Sequence, residues 1–300
     1  MPLLVVGSVA LDSIETPDDS RENVLGGSAV HFSYAASFFS PVKLVGVVGE
    51  DWPAEHTDLL NGRGIDTSGL QVVAGGRTFR WSGRYEPNMN DRETLEVHLN
   101  VFETFDPVLP EPYKRSEFLF LANGSPIVQM KVLDQVTGPR LAVADTMDLW
   151  INIQRDELLK LFQRIDGLVI NDAEAKLLTG ENNLVAAGRQ VREMGPKFVI
   201  IKKGEHGAMF FSQYETYVMP AYPTSTVTDP TGAGDSFGGG LLGYLAEQRN
   251  FEPQTLKKAM AYGVVTASFN VEDFSLDRMR QITRDDIDQR LDEYRKMLTF

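Results

Sequence analysis

The segment Asp229–Gly243, DPTGAGDSFGGGLLG, combines glycines, carboxylates and the start of a helical pattern. Gly232–Gly234 come just before apolar residues with helical spacing that begin near Ser236. The first turn of a helix has backbone N–H groups without partners and the positive end of the helix dipole, and small residues let an anion reach both. Asp235 would face the same point. The segment therefore predicts either an anion hole with a carboxylate beside it or a glycine-rich turn in which Asp235 merely begins the helix.

Four more glycines fall inside the predicted helix, at positions 238, 239, 240 and 243. A glycine in a helix interior costs roughly 1 kcal/mol relative to alanine, so we expect another part of the chain to pack closely against this helix. The phosphate-binding pattern G-x-x-x-x-G-K-[ST] is absent, and residues 232–238 are one residue too long for G-x-G-x-x-G. The glycines are therefore not the fingerprint of a dinucleotide-binding oxidoreductase.

Six short apolar runs have the composition of buried parallel strands, and helix-like segments alternate with them. The runs are 3–11, 42–49, 118–123, 140–146, 167–172 and 197–204. The helical segments include Ala29–Phe39, Ala54–Gly62, Arg155–Arg164, Asp172–Thr179, Leu184–Met194 and Ser236–Gln248. This alternation predicts an α/β fold with a doubly wound, mostly parallel sheet flanked by helices, in which ligands bind beyond the carboxyl ends of the strands.

Residues 77–102 interrupt this alternation. Two runs of alternating apolar and polar residues flank the turn residues PNMND, which predicts an antiparallel hairpin with two different faces. The aromatic residues of its first run are Phe79, Trp81 and Tyr85. The polar patch at 15–23 could pair with this hairpin. We therefore expect a small inserted β-sheet, formed by about 13–25 and 77–102, that serves as a lid on the main domain.

The overall composition excludes several classes of partner. A net charge of −13 disfavours nucleic acid, which requires a basic surface. No apolar run reaches the roughly 18 residues that a membrane helix requires, and the N-terminus lacks the features of a signal peptide. The absence of cysteine excludes disulfides and a thiol nucleophile. We expect a cytoplasmic protein that binds a small molecule and neither nucleic acid nor membrane.

The stretch DPTGAGDSFGGGLLGYLA closely resembles the C-terminal signature of the ribokinase-like, or PfkB, family of carbohydrate and nucleoside kinases. Four other stretches resemble the family in the family's order. They are GSVALD at 7–12, GGSAVHFSYAAS at 26–37, VGVVGEDW followed by GIDTSGL, and NDAEAKLLTG at 171–180 followed by IIKKGEHGA. Together they cover nearly the whole chain. The resemblance implies a single ribokinase-like kinase domain over residues 1–300 with an inserted lid.

This resemblance implies phosphoryl transfer from ATP at Asp235. Asp235 matches the family's catalytic base, which takes the proton from an acceptor hydroxyl as that oxygen attacks the γ-phosphorus. Gly232, Ala233 and Gly234 match the anion hole, whose N–H groups follow the developing charge. Because the transition state of phosphoryl transfer is loose, positioning and charge stabilisation supply most of the catalysis.

Two further stretches match the family's nucleotide site. Asn171 and Glu174 match an N-x-x-E motif that organises Mg²⁺ and phosphates, largely through water. The residues alone would also fit a helix cap, with Asn171 before the helix and Glu174 in its first turn. The second stretch matches the loop that runs along the nucleotide, although its lysines could equally be solvated. The residues concerned are Lys202, Lys203, Gly204 and Gly207.

The acceptor site implied by the resemblance lies near the N-terminus. Asp12 matches the family's acidic residue for acceptor hydroxyls, although a strand-end aspartate can also cap a turn. Gly26 and Gly27 match the di-glycine beside the acceptor. The family commonly has asparagine where this chain has His31, which could hydrogen-bond a hydroxyl or serve as a core residue.

Some family members bind K⁺ near the anion hole. Asp229 and Thr231 fall at positions that could contribute ligands to such an ion. The match of the following stretch, AYGVVTASFNVEDFSL, to the family is weak, so the sequence leaves a K⁺ requirement open. The remaining histidines, at 56, 98 and 206, have no spacing typical of a metal site.

The sequence therefore predicts an ATP-dependent, Mg²⁺-requiring kinase that phosphorylates a hydroxyl of a sugar or sugar derivative. A nucleoside kinase, for example one acting on an adenosine-like compound, is the alternative, because the aromatic residues of the lid could stack on a base. A sugar- or nucleotide-binding regulator without catalysis is a third reading, disfavoured by the intact Asp235 and its glycines. The lid hairpin, with apolar residues on one face, could also pair across a homodimer.

Overall fold

The computed structural model describes residues 2–299, in which thirteen β-strands form two sheets. In chain order the strands are β1 (Leu3–Val6), β2 (Ala10–Glu15), β3 (Ser20–Gly26), β4 (Val42–Gly49), β5 (Ile65–Val73), β6 (Phe79–Tyr85), β7 (Arg92–His98), β8 (Phe118–Leu121), β9 (Leu141–Asp145), β10 (Gly167–Asn171), β11 (Phe198–Lys202), β12 (Ala208–Ser212) and β13 (Thr216–Met219). Nine of them form the large sheet, in the order β13-β12-β11-β10-β9-β8-β1-β4-β5. Its pairings are parallel from β11 to β5 and antiparallel on both sides of β12. The predicted doubly wound, mostly parallel sheet is thus confirmed.

Helices cover both faces of the large sheet. In chain order those within residues 2–299 are α1 (Ser28–Ala36), α2 (Ala54–Gly62), α3 (Pro126–Gln135), α4 (Asp148–Ile153), α5 (Arg155–Phe162), α6 (Asp172–Thr179), α7 (Leu184–Glu193), α8 (Ala233–Gln248), α9 (Pro253–Asn270) and α10 (Arg284–Met297). Short 3₁₀ turns lie at Asn100–Phe102, Glu111–Tyr113, Gly204–His206 and Met279–Gln281. Alternate residues of β1 belong to two hydrophobic cores, one on each face of the sheet. Buried residues of α1, α8, α9 and α10 complete one core, and those of α3, α5, α6 and α7 complete the other. No helix in this part of the chain combines the length and apolar character needed to cross a bilayer.

The other four strands form a small sheet in the order β3-β2-β6-β7. The predicted hairpin is confirmed, because β6 and β7 pair antiparallel. Of the polar patch at 15–23, Glu15 ends β2 and pairs with Arg84 of the hairpin, whereas residues 20–23 belong to β3. Strand β2 lies between β3 and the hairpin, parallel to β6 and antiparallel to β3.

The apolar run at 3–11 forms two strands rather than the single strand predicted. Residues 3–6 belong to the large sheet, whereas the chain leaves that sheet at Gly7 and enters the small sheet at Ala10. The amide of Ala29 donates to the carbonyl of Ser8, which anchors this crossing to the start of α1. The run is apolar throughout because both strands are buried, so composition alone does not reveal the change of sheet.

Helix α8 begins at Ala233, three residues before the predicted start, and its interior glycines lie against two other helices. A Cβ on Gly239 would stand 2.5 Å from the carbonyl oxygen of Phe32 in α1. A Cβ on Gly240 would stand 2.6 Å from Oγ1 of Thr266 in α9. The expected close packing beneath the anion-hole segment is therefore present, and larger residues would push α8 away from its neighbours.

Candidate active site

The carboxyl ends of three neighbouring strands bring polar residues together. Asp145 ends β9, Asn171 ends β10 and Lys202 ends β11. The first turn of α8 lies beside them, because a Cβ on Gly234 would stand only 2.9 Å from Nζ of Lys202. This edge of the sheet is where doubly wound folds bind their ligands.

Three backbone amides at the start of α8 have no hydrogen-bond partner among the described residues 2–299: those of Gly232, Gly234 and Asp235. Gly232 precedes the helix with a φ of 76°, a left-handed conformation that favours glycine. The amide of Ala233 instead donates to the carbonyl of Pro230 at 3.1 Å. Ala233 was also predicted to belong to the anion hole, but the turn before the helix occupies its amide. The amide of Asp235 is the third one available.

Lys202 places a buried ammonium next to these amides. Its Nζ lies 3.1 Å from Oδ2 of Asp145, and the two side chains are only 17% and 7% exposed. Burial alone would lower the pKa of Lys202, but the carboxylates of Asp145, Glu174 and Asp235 raise it. The ammonium therefore stays charged, and together with the open amides it forms a site that favours an anion.

Asn171 and Glu174 cap helix α6 and face the same cleft. Oδ1 of Asn171 accepts from the amide of Glu174 at 2.8 Å, and the Glu174 carboxylate accepts from the amide and the Nδ2 group of Asn171 at 2.8 and 2.7 Å. Burial raises the pKa of Glu174 to about 8, and the charge of Asp145 raises it as well. The helix cap is thus present, and it holds a carboxyl whose ionisation a nearby cation would favour.

This donor set fits Mg²⁺ held largely through water. No group of three or more histidine, aspartate or glutamate side chains within residues 2–299 could enclose a metal ion. Mg²⁺ does not require such a cage, because it usually keeps several waters and binds one or two carboxylates plus phosphates. Asp145 and Glu174 are two buried carboxyls with a single lysine beside them, so a divalent ion would balance their charge.

Asp235 lies in the first turn of α8 with a partly buried side chain. Burial raises the pKa of its carboxyl to about 7, and the charges of Asp145 and Asp12 raise it further, against the lowering effect of Lys202 and Arg92. A carboxyl with a pKa near the working pH can exist ionised and still accept a proton readily.

Asp12 lies on the small sheet and faces the cleft. It is opposite Val24 in β3 and Trp81 in β6. Burial raises its pKa to about 7, although the amide of Gly27 donates to it. Gly26 lies so close to this carboxylate that a Cβ there would overlap it. Asp12, Gly26 and Gly27 are therefore brought together as predicted.

His31 lies beneath the anion hole, 2% exposed, in a network of buried hydrogen bonds. Nδ2 of Asn270 donates to the carbonyl of Thr231 at 2.8 Å, so Oδ1 of the same amide is an acceptor. That oxygen accepts from Ser236 at 2.9 Å and lies 3.2 Å from Nδ1 of His31, which must carry the proton. Burial lowers the pKa of His31 to about 4, so the ring is neutral. The ring packs against Gly232.

The two candidate K⁺ ligands are already engaged by the protein. Asp229 is fully buried, and its carboxylate accepts from the amides of Thr231 at 2.8 Å and Ser275 at 3.2 Å. The carbonyl of Thr231 accepts the Asn270 side chain. Each of these oxygens therefore already accepts one amide hydrogen, and a role of Asp229 and Thr231 as K⁺ ligands stays a prediction.

The three aromatic residues of β6 have different surroundings. Phe79 stacks on Phe102 in the core. Tyr85 is buried, and its hydroxyl lies 3.1 Å from Oγ1 of Thr231. Phe79 and Trp81 are both partly exposed, but Phe102 covers Phe79, whereas Trp81 lies beside Asp12 in the strand register. Of the three, Trp81 is therefore the best placed to stack on a ligand beside Asp12.

The loop after β11 contacts the tip of the small sheet. The amide of Lys203 donates to the carbonyl of Gly207 at 2.7 Å, which closes the loop around Gly204. Nδ2 of Asn90, in the turn between β6 and β7, donates to Oε1 of Glu205 at 2.9 Å. The small sheet therefore contacts the main domain at this loop as well as at Thr231.

Three residues of the site were not identified from the sequence. Asp145 belonged to a predicted strand, but the sequence does not show that β10 separates it from Lys202. Asn270 lies in a stretch whose family match was weak. Arg92 follows the hairpin turn, and the sequence alone cannot distinguish it from an ordinary solvent-exposed arginine. In the structure its positive charge lowers the pKa of Asp12, Glu174 and Asp235. These three pKa shifts are recognisable only in three dimensions.

Comparison with known proteins agrees with this site. A family model described as pfkB family carbohydrate kinase matches residues 140–281, which include the Asn171 motif and the whole anion-hole segment. A cytidine kinase of Thermococcus kodakarensis is 29% identical over 259 residues, covering 84% of this chain and 91% of that protein. A nucleoside kinase of Thermoplasma acidophilum is 26% identical, covering 97% of this chain and 94% of that protein.

A solved structure shares the fold over almost the full length. The Burkholderia thailandensis nucleoside kinase in complex with inosine superposes with a TM-score of 0.79 at 20% identity. The match covers 97% of this chain and 98% of that chain. At this identity the likeness shows the fold and not the substrate.

Proposed function

We propose that the chain is an ATP-dependent kinase of the ribokinase-like, or PfkB, family that phosphorylates a hydroxyl of a nucleoside. The observation that carries the reaction type is the start of α8, where open amides, a buried ammonium and an aspartate of raised pKa converge. The identity of the acceptor rests on the cleft face of the small sheet and on the two relatives matched over most of the chain, a cytidine kinase and a nucleoside kinase.

Asp235 would act as the general base in this reaction. The acceptor hydroxyl loses its proton to the carboxylate while its oxygen attacks the γ-phosphorus, and ADP leaves. The amides of Gly232, Gly234 and Asp235 would receive the negative charge that develops on the transferring group, and Lys202 would add a positive charge beside them. All these groups are held in place before the substrates bind, so little reorganisation is needed during transfer.

Asn171, Glu174 and Asp145 would position Mg²⁺ and the phosphates of ATP. The ion would neutralise phosphate charge, and the two carboxyls would hold its water ligands. The loop residues Lys203, Gly204 and Gly207 would lie along the nucleotide. Their contribution would come chiefly from the backbone, since the loop is closed by its own hydrogen bonds.

Asp12, with Gly26 and Gly27, would hold the hydroxyls of the acceptor sugar. Trp81 is the neighbour of Asp12 in the sheet, and Val97, opposite Trp81 in β7, is 48% exposed. A nucleoside needs a polar patch for its ribose next to an apolar surface for its base, and these residues offer both. A free sugar, which would use only the polar patch, is the second candidate.

The organisation of the whole molecule is part of the proposal. The chain would act as one kinase domain, with the small sheet as its lid. Pairing of lids in a homodimer stays a prediction, which light scattering would test. A cytoplasmic location also stays a prediction, which cell fractionation would test.

The decisive experiment follows ADP release by the full-length protein with Mg²⁺ and ATP over a panel of nucleosides, sugars and sugar acids. We expect release that depends on a nucleoside, together with a phosphorylated nucleoside detected by mass spectrometry. Release with free sugars alone would establish the second candidate instead. If the protein binds ATP but no compound in the panel causes ADP release, the non-catalytic regulator would be favoured.

A further inference from the structure

We propose that Arg92, on strand β7 of the small sheet, binds the γ-phosphoryl group during its transfer and is a catalytic residue supplied by the lid. This inference rests on the proposed kinase function. It adds a second cation, on the side of the cleft opposite Lys202, to the groups that the anion-hole segment provides.

The position of Arg92 is fixed by its partner strand. In the β6–β7 register Arg92 is opposite Tyr85, whose hydroxyl contacts Thr231 at 3.1 Å, one residue before the anion hole. On the other side, Asn90 contacts Glu205 in the loop after β11. Arg92 therefore lies between two points at which the small sheet touches the edges of the active site.

The alternation of β7 directs Arg92 toward the cleft. Its guanidinium lies 5.3 Å from the centre of the Trp81 ring, on the face that carries Asp12. Its charge acts on Asp12, Glu174 and Asp235, which belong to three different parts of the site. The guanidinium is therefore within electrostatic reach of all three carboxyls.

Unlike its neighbours, Arg92 has no carboxylate partner. Arg80 pairs with Asp51 at 2.9 Å and Arg84 pairs with Glu15 at 2.6 Å, both through the other face of the sheet. Within residues 2–299 Arg92 forms no ion pair. Its contact with Trp81 is weak, since an exposed cation–π pair contributes about 0.5–1 kcal/mol. Its other contact, a hydrogen bond with the Tyr85 side chain, is with a neutral group. The guanidinium therefore has no charged partner to lose when it turns toward an anion.

The transferring phosphoryl group is the anion that this position suits. During transfer the bond from phosphorus to the leaving oxygen of ADP breaks, the bond to the acceptor oxygen forms and Asp235 takes the proton. The oxygens of the phosphoryl group carry the charge meanwhile, and the planar fork of a guanidinium can bind two of them. A phosphate or carboxylate group on the acceptor could bind the Arg92 guanidinium in the same way. Such a group is the alternative to the transferring phosphoryl group.

The test compares Arg92→Ala and Arg92→Lys with Arg84→Ala, which removes an arginine from the opposite face of the same sheet. We expect kcat of Arg92→Ala to fall about 10²–10³-fold with a neutral nucleoside, as when one donor to a transition-state anion is removed. The KM of the acceptor should hardly change, and Arg92→Lys should recover part of the rate. Arg84→Ala should stay within about twofold, because exposed ion pairs contribute little.

A second measurement needs no acceptor. Binding of ADP with aluminium fluoride, which mimics a phosphoryl group in transfer, should weaken in Arg92→Ala, whereas binding of ADP alone should not. If the wild type phosphorylates no nucleoside but this difference holds, the proposed acceptor is wrong and the role of Arg92 stands. Equal binding of the mimic by wild type and Arg92→Ala would overturn the role. So would a loss confined to the KM of anionic acceptors.

Discussion

The backbone of Gly232 lies directly against the imidazole of His31, so that a Cβ at position 232 would overlap the ring. The ring cannot move aside easily, because its Nδ1 is hydrogen-bonded to the side chain of Asn270. That side chain is in turn hydrogen-bonded to Ser236 and to the carbonyl of Thr231. The size and position of the His31 side chain therefore fix the position of the Gly232 backbone, which carries the first open amide of the anion hole.

This contact predicts an energetic coupling between the two positions. Gly232→Ala should destabilise the protein through overlap with the ring and through the left-handed φ, which costs an L-residue about 1–2 kcal/mol. Adding His31→Ala should relieve the overlap but not the backbone cost, giving a favourable coupling of about 0.5–3 kcal/mol in a double-mutant cycle measured by urea denaturation. Gly234→Ala is the control, because its Cβ would meet Lys202 instead. Additive effects at 232 and 31 would contradict the prediction.

The anion hole could be predicted from sequence because its parts are contiguous. The glycines and Asp235 lie within one helical turn, and the cap of α6 needs only Asn171 and Glu174. Asp145 and Lys202 are different, because 57 residues separate them and they meet only through the strand order β9-β10-β11. A hydrophobic run predicts that a strand forms, but not which strands pair with it in the sheet. For the same reason the run at 3–11 did not show that it is divided between two sheets.

The face of a strand residue could also be predicted, but not what lies opposite it. Alternation along β6 grouped Phe79, Trp81 and Tyr85 on one face. Whether each of these side chains contacts the core, the solvent or the anion-hole segment depends on how the small sheet packs against the large one. The same limit applies to Arg92 and to Asn270, whose partners come from distant segments.

The ion pair of Lys202 and Asp145 makes a further prediction. Lys202→Met should lower the free energy of unfolding by about 3–5 kcal/mol, because it leaves a carboxylate buried without its partner. Asp145→Asn in the same chain should restore most of that stability, since it removes the carboxylate that lost its direct partner, but it should not restore turnover. Unfolding curves and kcat of the wild type and the two variants test this. Recovery of turnover in the double variant would show that the ammonium has no role in transfer.

The hydrogen bonds around Asp229 and Thr231 predict that the enzyme needs no monovalent cation. Amides of Ser275 and Asn270 already bond the oxygens that K⁺ would approach. Turnover at constant ionic strength should therefore agree within about twofold in K⁺, Na⁺ and a large organic cation, the scatter that general screening allows. Activation that saturates with K⁺ alone would contradict this prediction and show that oxygens already accepting an amide hydrogen can also bind the cation.

Glu174 makes a prediction about Mg²⁺. Glu174→Gln keeps the size of the side chain and one acceptor for the cap of α6 but removes its charge. The Mg²⁺ concentration for half-maximal rate should rise, while the melting temperature without Mg²⁺ should be unchanged or higher, because a buried carboxyl is gone. Asp172→Asn, in the same turn but exposed, is the control. An unchanged Mg²⁺ requirement would leave Glu174 with only its role as a helix cap.

The raised pKa of Asp235 predicts opposite effects of pH on activity and on stability. As a base it must be ionised, so kcat/KM should rise with pH and level off above about 7. In the unfolded chain its pKa returns to about 3.9, so between these values the folded state binds a proton that the unfolded state has released. The contribution of Asp235 to the free energy of unfolding therefore decreases as pH rises from about 4 to 7.

Asp235→Asn separates the two effects. It removes the proton acceptor, so turnover should fall about 10²–10⁴-fold while ATP still binds. It also removes the buried charge, so the variant should melt at a higher temperature than the wild type above pH 7, and this difference should shrink as pH falls toward 4 because the wild-type carboxyl becomes neutral. Melting curves at several pH values, with turnover and ATP binding, test both. Near-normal turnover would remove Asp235 from the mechanism, and a variant that melts lower at every pH would make it a structural residue.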